Sequence, residues 1–411
     1  ANSFTGGVLI DGGMLQTGNA MALGSTSGTT VITNNGTLDL NGNNLGTEPV
    51  YVSGRGLNAY GAIVSTSSSS QTHALQNVTL TGDTAFGGPG NWLMSGNPGR
   101  WDIRGPGTTL TMNDGEPFNL YKVGSNQVSF VGVAIDTNLA NIDIQQGILG
   151  FEAGSTSMGN PADSLIVRAG ATLEFYQSSA PSNSYTKQFI LYGGGATPCI
   201  TNWSGGGSST ISGRMTLNGP CVIGVNGTSF TNNCVIAGAG GLIKGGTRPL
   251  VLGAVNTYSG NTTVNGGILL LKGNGSISSS ANIFITAGAT LDASARNDAT
   301  LTLAAAQTIS GNGTLNGNVV VGDGAALAPG NSIGTLAFDG DLNLNGGSTT
   351  VMAVDKNAIS SNSVAQVAGS LTCGGTLLIT NLGSIPFAAG DSFKLFNAAK
   401  YNGTFTNIVP A

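Results

Sequence analysis

Apolar residues in this chain recur at every second position in short runs, and the runs are separated by glycine. In residues 256–293, NTYSGNTTVNGGILLLKGNGSISSSANIFITAGATLDA, one such run places Thr262, Val264, Ile268 and Leu270 on one face around Gly266 and Gly267. Ile283, Ile285 and Leu291 repeat the arrangement around Gly288. A period of two with one buried face predicts strands, and the intervening GNGSISSSAN predicts a turn. No part of the stretch carries a helical period.

The pattern returns in residues 8–40, VLIDGGMLQTGNAMALGSTSGTTVITNNGTLDL, and in 142–175, IDIQQGILGFEAGSTSMGNPADSLIVRAGATLEF. Gly13 and Gly36 are 23 residues apart, as are Gly147 and Gly170, while Gly267 and Gly288 are 21 apart. A near-constant step of this size predicts one coil of a parallel β-solenoid per repeat, each coil burying its apolar face only when a neighbour stacks on it. Solenoid repeats are therefore expected over 1–309, followed over 310–411 by terminal coils and a distinct β-rich capping or assembly segment.

Composition sharpens the picture. Gly is 67 of 411 residues against 13 Pro, which serves turns that need positive φ rather than a collagen or a Pro-rich linker. Only 8% of residues are charged, against about 25% in ordinary soluble domains. Asn, Thr, Ser and Gly must then coat the surface, and stacked Asn side chains can form ladders. A net charge of −5 argues against nucleic-acid binding, which calls for clustered Lys and Arg. No apolar run approaches the length of a membrane helix, so no membrane insertion by this segment is expected. The opening ANSFTGG lacks a charged n-region and an apolar h-region, the expectation being export with the leader removed.

Candidate chemistry is sparse. Cys199 and Cys221 are 22 residues apart, about one coil, and stacked strands bring Cα atoms to about 4.8 Å, inside the range of a disulfide. A Cys199–Cys221 bridge is one expectation, Cys234 is the competing partner, and buried thiols are the alternative. No C-x-x-C spacing occurs and His73 is the sole histidine, so neither a metal site, a cofactor site nor a Ser-His triad is expected. Asp83, Asp102, Asp114 and Glu116 are candidates for paired glycosidase carboxylates, or with Arg100 and Arg104 for a lyase site. The competing reading has Asp102 and the arginines bridging neighbouring coils. Trp92 and Trp101, and with them Trp203, are candidate glycan contacts by aromatic stacking. Sequons such as Asn77-Val78-Thr79 follow from composition.

Residues 238–275 read GAGGLIKGGTRPLVLGAVNTYSGNTTVNGGILLLKGNG. Gly240-Gly241-Leu242, Lys244, Gly246, Leu250, Leu252, Asn256-Thr257-Tyr258, Gly260, Thr262-Thr263-Val264-Asn265 and Gly267 match, in order, the passenger-associated repeat of bacterial autotransporters, which this stretch resembles. Arg248-Pro249 departs from it. The resemblance implies an all-β, elongated, right-handed parallel β-helix at the cell surface or outside the cell, and it brings no catalytic residues. The segment ALAPGNSIGTL resembles the stretch near the end of such passengers, but no membrane-barrel strands follow it, so a released or trimmed product, or a relative secreted by another route, is expected.

The resulting functional expectation is a non-enzymatic extracellular structural protein, a fibre subunit whose main partner is another copy, joined head to tail. Its assembly ends would be Phe4, Val8 and Ile10 at one side and Phe387, Phe393, Phe396, Tyr401 and Phe405 at the other. The alternatives are a monomeric passenger acting as spacer or glycan-binding adhesin, and a polysaccharide lyase or hydrolase on the same fold.

Overall fold

The structure, a computed structural model, describes residues 2–88, 99–155, 157–176, 184–203, 208–358 and 361–410. It is almost wholly β: helix among these residues is confined to two 3-10 turns, Leu57–Ala59 and Asn113–Gly115. The chain forms two compact units, Ala1–Met215 with Asn226–Thr228, and Thr216–Val225 with Ser229–Ala411. Each is a parallel β-solenoid.

In the first unit, one sheet stacks Val8–Asp11, Thr30–Thr33, Pro49–Gly54, Asn77–Phe86, Leu120–Lys122, Ile142–Ile144, Ser164–Val167 and Gln188–Leu191. A second stacks Gln71–Leu75, Trp101–Arg104, Gln127–Val131, Ile148–Glu152, Thr172–Tyr176 and Ile200–Trp203. These runs are too short for helices, rich in β-branched and aromatic residues, and stopped by glycine, so they form strands. The register aligns like with like: Leu120 lies beside Ile142, Ile142 beside Leu165, and Leu165 beside Phe189. All are buried. In the second sheet Ile103, Phe130, Phe151 and Phe175 form an inward row, with the Phe130 and Phe151 rings edge to face at 5.4 Å.

The second unit repeats the scheme. Leu242–Gly245, Thr262–Val264, Asn282–Ile285, Thr308–Gly311 and Ala326–Pro329 stack in one sheet, and Leu250–Leu252, Ile268–Leu271, Thr290–Asp292 and Thr314–Asn316 in another.

The expected glycine step is the coil step. Thr37 N donates to Gly13 O at 2.8 Å, Thr172 N to Gly147 O at 2.9 Å, and Thr290 N to Gly267 O at 2.9 Å, so each glycine corner sits beside the corner of the next coil. Gly267 is required twice over. Its φ is 60°, and a Cβ there would come within 2.7 Å of the Thr247 carbonyl carbon. One phase expectation fails: Leu269 and Leu271, not Ile268 and Leu270, face the core. In an unbroken ILLL run alternation leaves the phase open, and the stacking of Leu269 on Leu250 and Leu291 sets it.

The residues matching the passenger repeat are consumed in holding coils together. Lys244 is fully buried and donates to the carbonyls of Gly245, Gly246 and Gly266 at 2.8, 3.0 and 2.9 Å. Lys122 does the same in the first unit, bonding Val123 O, Gly124 O and Gln146 O. Asn256 accepts from Ile236 N at 3.0 Å and donates to Ala254 O and Ser276 O, joining three turns. The buried Tyr258 hydroxyl bonds Thr262 Oγ1 at 2.6 Å, which donates to Ser280 Oγ. Gly260 lies where a Cβ would strike the Gly240 backbone at 2.4 Å.

Candidate functional site

The chemically richest place lies on the outer face of the second sheet in the first unit. Since Ile103, Phe130, Phe151 and Phe175 point inward, the residues beside them point outward. Asp102, Ser129, Gly150, Glu174 and Thr201 form one register row, and Arg104, Val131, Glu152, Tyr176 and Trp203 form the next. Arg100 reaches across the coils. Its Nε and Nη2 bond Asp102 at 2.6 and 2.9 Å, and Nη2 also bonds Glu152 Oε2 at 2.9 Å. Burial works against its charge, yet hydrogen bonds to and attraction by Asp102 and Glu152 prevail and raise its pKa. Gln127 Nε2 bonds Glu174 Oε1 at 2.9 Å and Ser129 Oγ at 3.0 Å. Burial, then the neighbouring Glu152 charge, push the Glu174 carboxyl above the usual range.

Of the acids singled out by sequence, only Asp102 belongs to this cluster. Asp83 is exposed and held by Asn119 N at 2.8 Å and by the Tyr121 hydroxyl. Asp114 and Glu116 are exposed in and beside a 3-10 turn. The four acids do not converge, and the arrangement is the bridging of neighbouring coils. Glu152, Glu174 and Gln127 escaped sequence reading because only coil register brings Glu152, 52 residues on, to Arg100, and Glu174, 47 residues on, to Gln127.

Trp101 corrects an expectation. It is fully buried, edge to face with Phe86 at 5.5 Å, and its indole N–H donates to Gly87 O, so it has no face for a sugar. Trp92 lies outside the described residues. Trp203 is 48% exposed. A second outward strip carries Arg55 over the Tyr121 ring at 4.4 Å, and Arg168 paired with Asp143 at 2.9 Å and set over Tyr192.

Cys199 is buried in the first unit and Cys221 in the second. Ile10 is buried against Ile32, while Phe4 stays exposed and Val8 half-buried. Near the C-terminus the aromatics pair among themselves, Phe387 with Phe393 at 6.0 Å and Phe396 with Phe405 at 5.6 Å, whereas Tyr401 is exposed. Among the described residues no group of three His, Cys, Asp or Glu side chains is placed to hold a metal ion, and no helix is long and apolar enough to cross a membrane.

A search of curated proteins matches Adhesin BmaC autotransporter of Brucella suis biovar 1 (strain 1330), 28% identical over 273 residues. The chain resembles an autotransporter adhesin. The alignment covers 64% of this chain and 6% of the adhesin's length. Together with the solenoid and the structural use of the repeat residues, the likeness is that of a passenger β-helix. No family model and no solved structure matches the chain.

Proposed function

We propose that the chain forms part of an exported, surface-presented, adhesin-like passenger and acts by binding rather than by turnover. The observation that carries this is the likeness to a protein named as an autotransporter adhesin. The solenoid supports it: its repeat residues and its Arg100 cluster are committed to internal bonds, which favours a scaffold over a catalytic groove. Producing cells lacking residues 1–411 should adhere less to cultured animal cells than the parent, and the purified chain should compete with parental adherence. Unchanged adherence without competition refutes the reading. Chain-dependent shortening of a polysaccharide, followed by size-exclusion chromatography, would replace it with the lyase or hydrolase alternative.

The second reading is self-assembly end to end. It is favoured by the segment 387–405, whose Phe387–Phe393 and Phe396–Phe405 ring pairs and exposed Tyr401 set it apart from the aliphatic coils. Electron microscopy of the purified chain at rising concentration should then show filaments, and single particles throughout would exclude it.

A further inference from the structure

We propose that Glu174, Thr201, Tyr176 and Trp203 form a binding site for an uncharged oligosaccharide. The inference rests on the adhesin reading and names its ligand class. Its starting point is Thr201, which is 6% exposed and whose Oγ1 has no hydrogen-bond partner. Buried hydroxyls in native proteins are nearly always bonded, so an unfilled one marks a place for an outside group that donates and accepts.

Thr201 points the same way as Glu174, its register partner one strand away. Glu174 takes one hydrogen bond at Oε1, from Gln127, leaving its other oxygen to accept. Two residues along the same strand stands Trp203, large, apolar and half exposed, with Tyr176 beside it in register. Positions two apart on a strand are separated by about 6.6 Å and neighbouring strands by about 4.8 Å. One sugar ring laid against Trp203 therefore brings its edge hydroxyls over Thr201 and Glu174. An aromatic face with a carboxylate and a hydroxyl at its border suits the apolar face and polar rim of a pyranose.

Charge selects among sugars. Arg100 is paired with Asp102 and Glu152, so with Glu174 the cluster sets three carboxylates against one guanidinium, an acidic balance that disfavours sialylated or uronic glycans.

The test is saturation-transfer NMR followed by calorimetric titration of the whole chain with oligosaccharides of glucose, mannose, galactose and N-acetylglucosamine, with sialylated and uronic oligomers as counter-probes. Trp203→Ala and Thr201→Val are the variants. Thr201→Val removes only an unbonded hydroxyl, so it should melt no lower than the parent. At least one neutral series should saturate, Trp203→Ala should abolish the binding, and Thr201→Val should weaken it about tenfold, roughly 1.4 kcal/mol. Absence of binding by all neutral series, equal binding by both variants, or preference for the acidic probes would overturn the site. Cell binding separates the two readings. Undiminished attachment by Trp203→Ala refutes the sugar site and leaves the adhesin reading, whereas titratable sugar binding without attachment refutes only the latter.

Discussion

Replacing Lys244 by Met tests how this solenoid tolerates a buried cation. The ammonium donates three hydrogen bonds of 2.8 to 3.0 Å to carbonyls of two successive glycine corners, with no carboxylate partner. Met fills nearly the same volume, so packing changes little. What is lost is the donor. An orphaned buried acceptor costs about 1–3 kcal/mol, and because the corner glycines are half-exposed, water repairs part of the loss. The low end applies, giving about 3 kcal/mol for three carbonyls. Burial also lowers the lysine pKa to about 8, below its unfolded value. Between the two values the unfolded chain binds more protons, so the parent gains stability as pH rises from about 8 toward 10.5. Lys244→Met should lack that rise. Urea unfolding at pH 7 and pH 9.5, with amide exchange at residues 244–267, reads both effects, and exchange is needed because solenoids can open locally. A loss below about 1 kcal/mol with unchanged exchange would refute the capping role.

Asn256→Ala removes one acceptor and two donor bonds inside the second unit and should cost about 2–4 kcal/mol in urea unfolding. Glu174→Gln should raise the melting temperature at pH 7.5 and have little effect at pH 4.5. The buried carboxyl has a raised folded pKa, so the parent's stability falls as pH rises through it, and Gln removes that titration. Gly267→Ala combines positive φ with a backbone collision and should lose about 2–3 kcal/mol, with faster exchange at residues 245–270. Arg100→Met leaves Asp102 and Glu152 buried without their cation, and a fall of about 3–5 kcal/mol is expected from chemical unfolding.

Much of the fold was legible because the coil step is written in glycines that must take positive φ at each corner. Gly13, Gly147 and Gly267 each accept from the threonine that opens the matching strand of the next coil. Phase was legible only where polar residues interrupt the apolar ones, as at Val264 and Ile283, and not across ILLL. Residues 47–139 stayed obscure because Asn77–Phe86 is long, shifts register against Pro49–Gly54, and pairs with both Thr109–Met112 and Leu120–Lys122, so one repeat length does not describe it. The outward cluster was hidden for a related reason. Arg100 and Glu152 are 52 residues apart and meet only after intervening coils are stacked. Exposure was the least legible quantity, since Trp101 and Trp203 differ in depth and not in type.

The most direct test of the adhesin-like role is binding of the purified, fluorescently labelled chain to cultured animal cells. Saturable binding, displaced by excess unlabelled chain and lost on heat denaturation, is the expected result. Binding that never saturates, or that equals the background of an unrelated β-solenoid of similar charge, would contradict it.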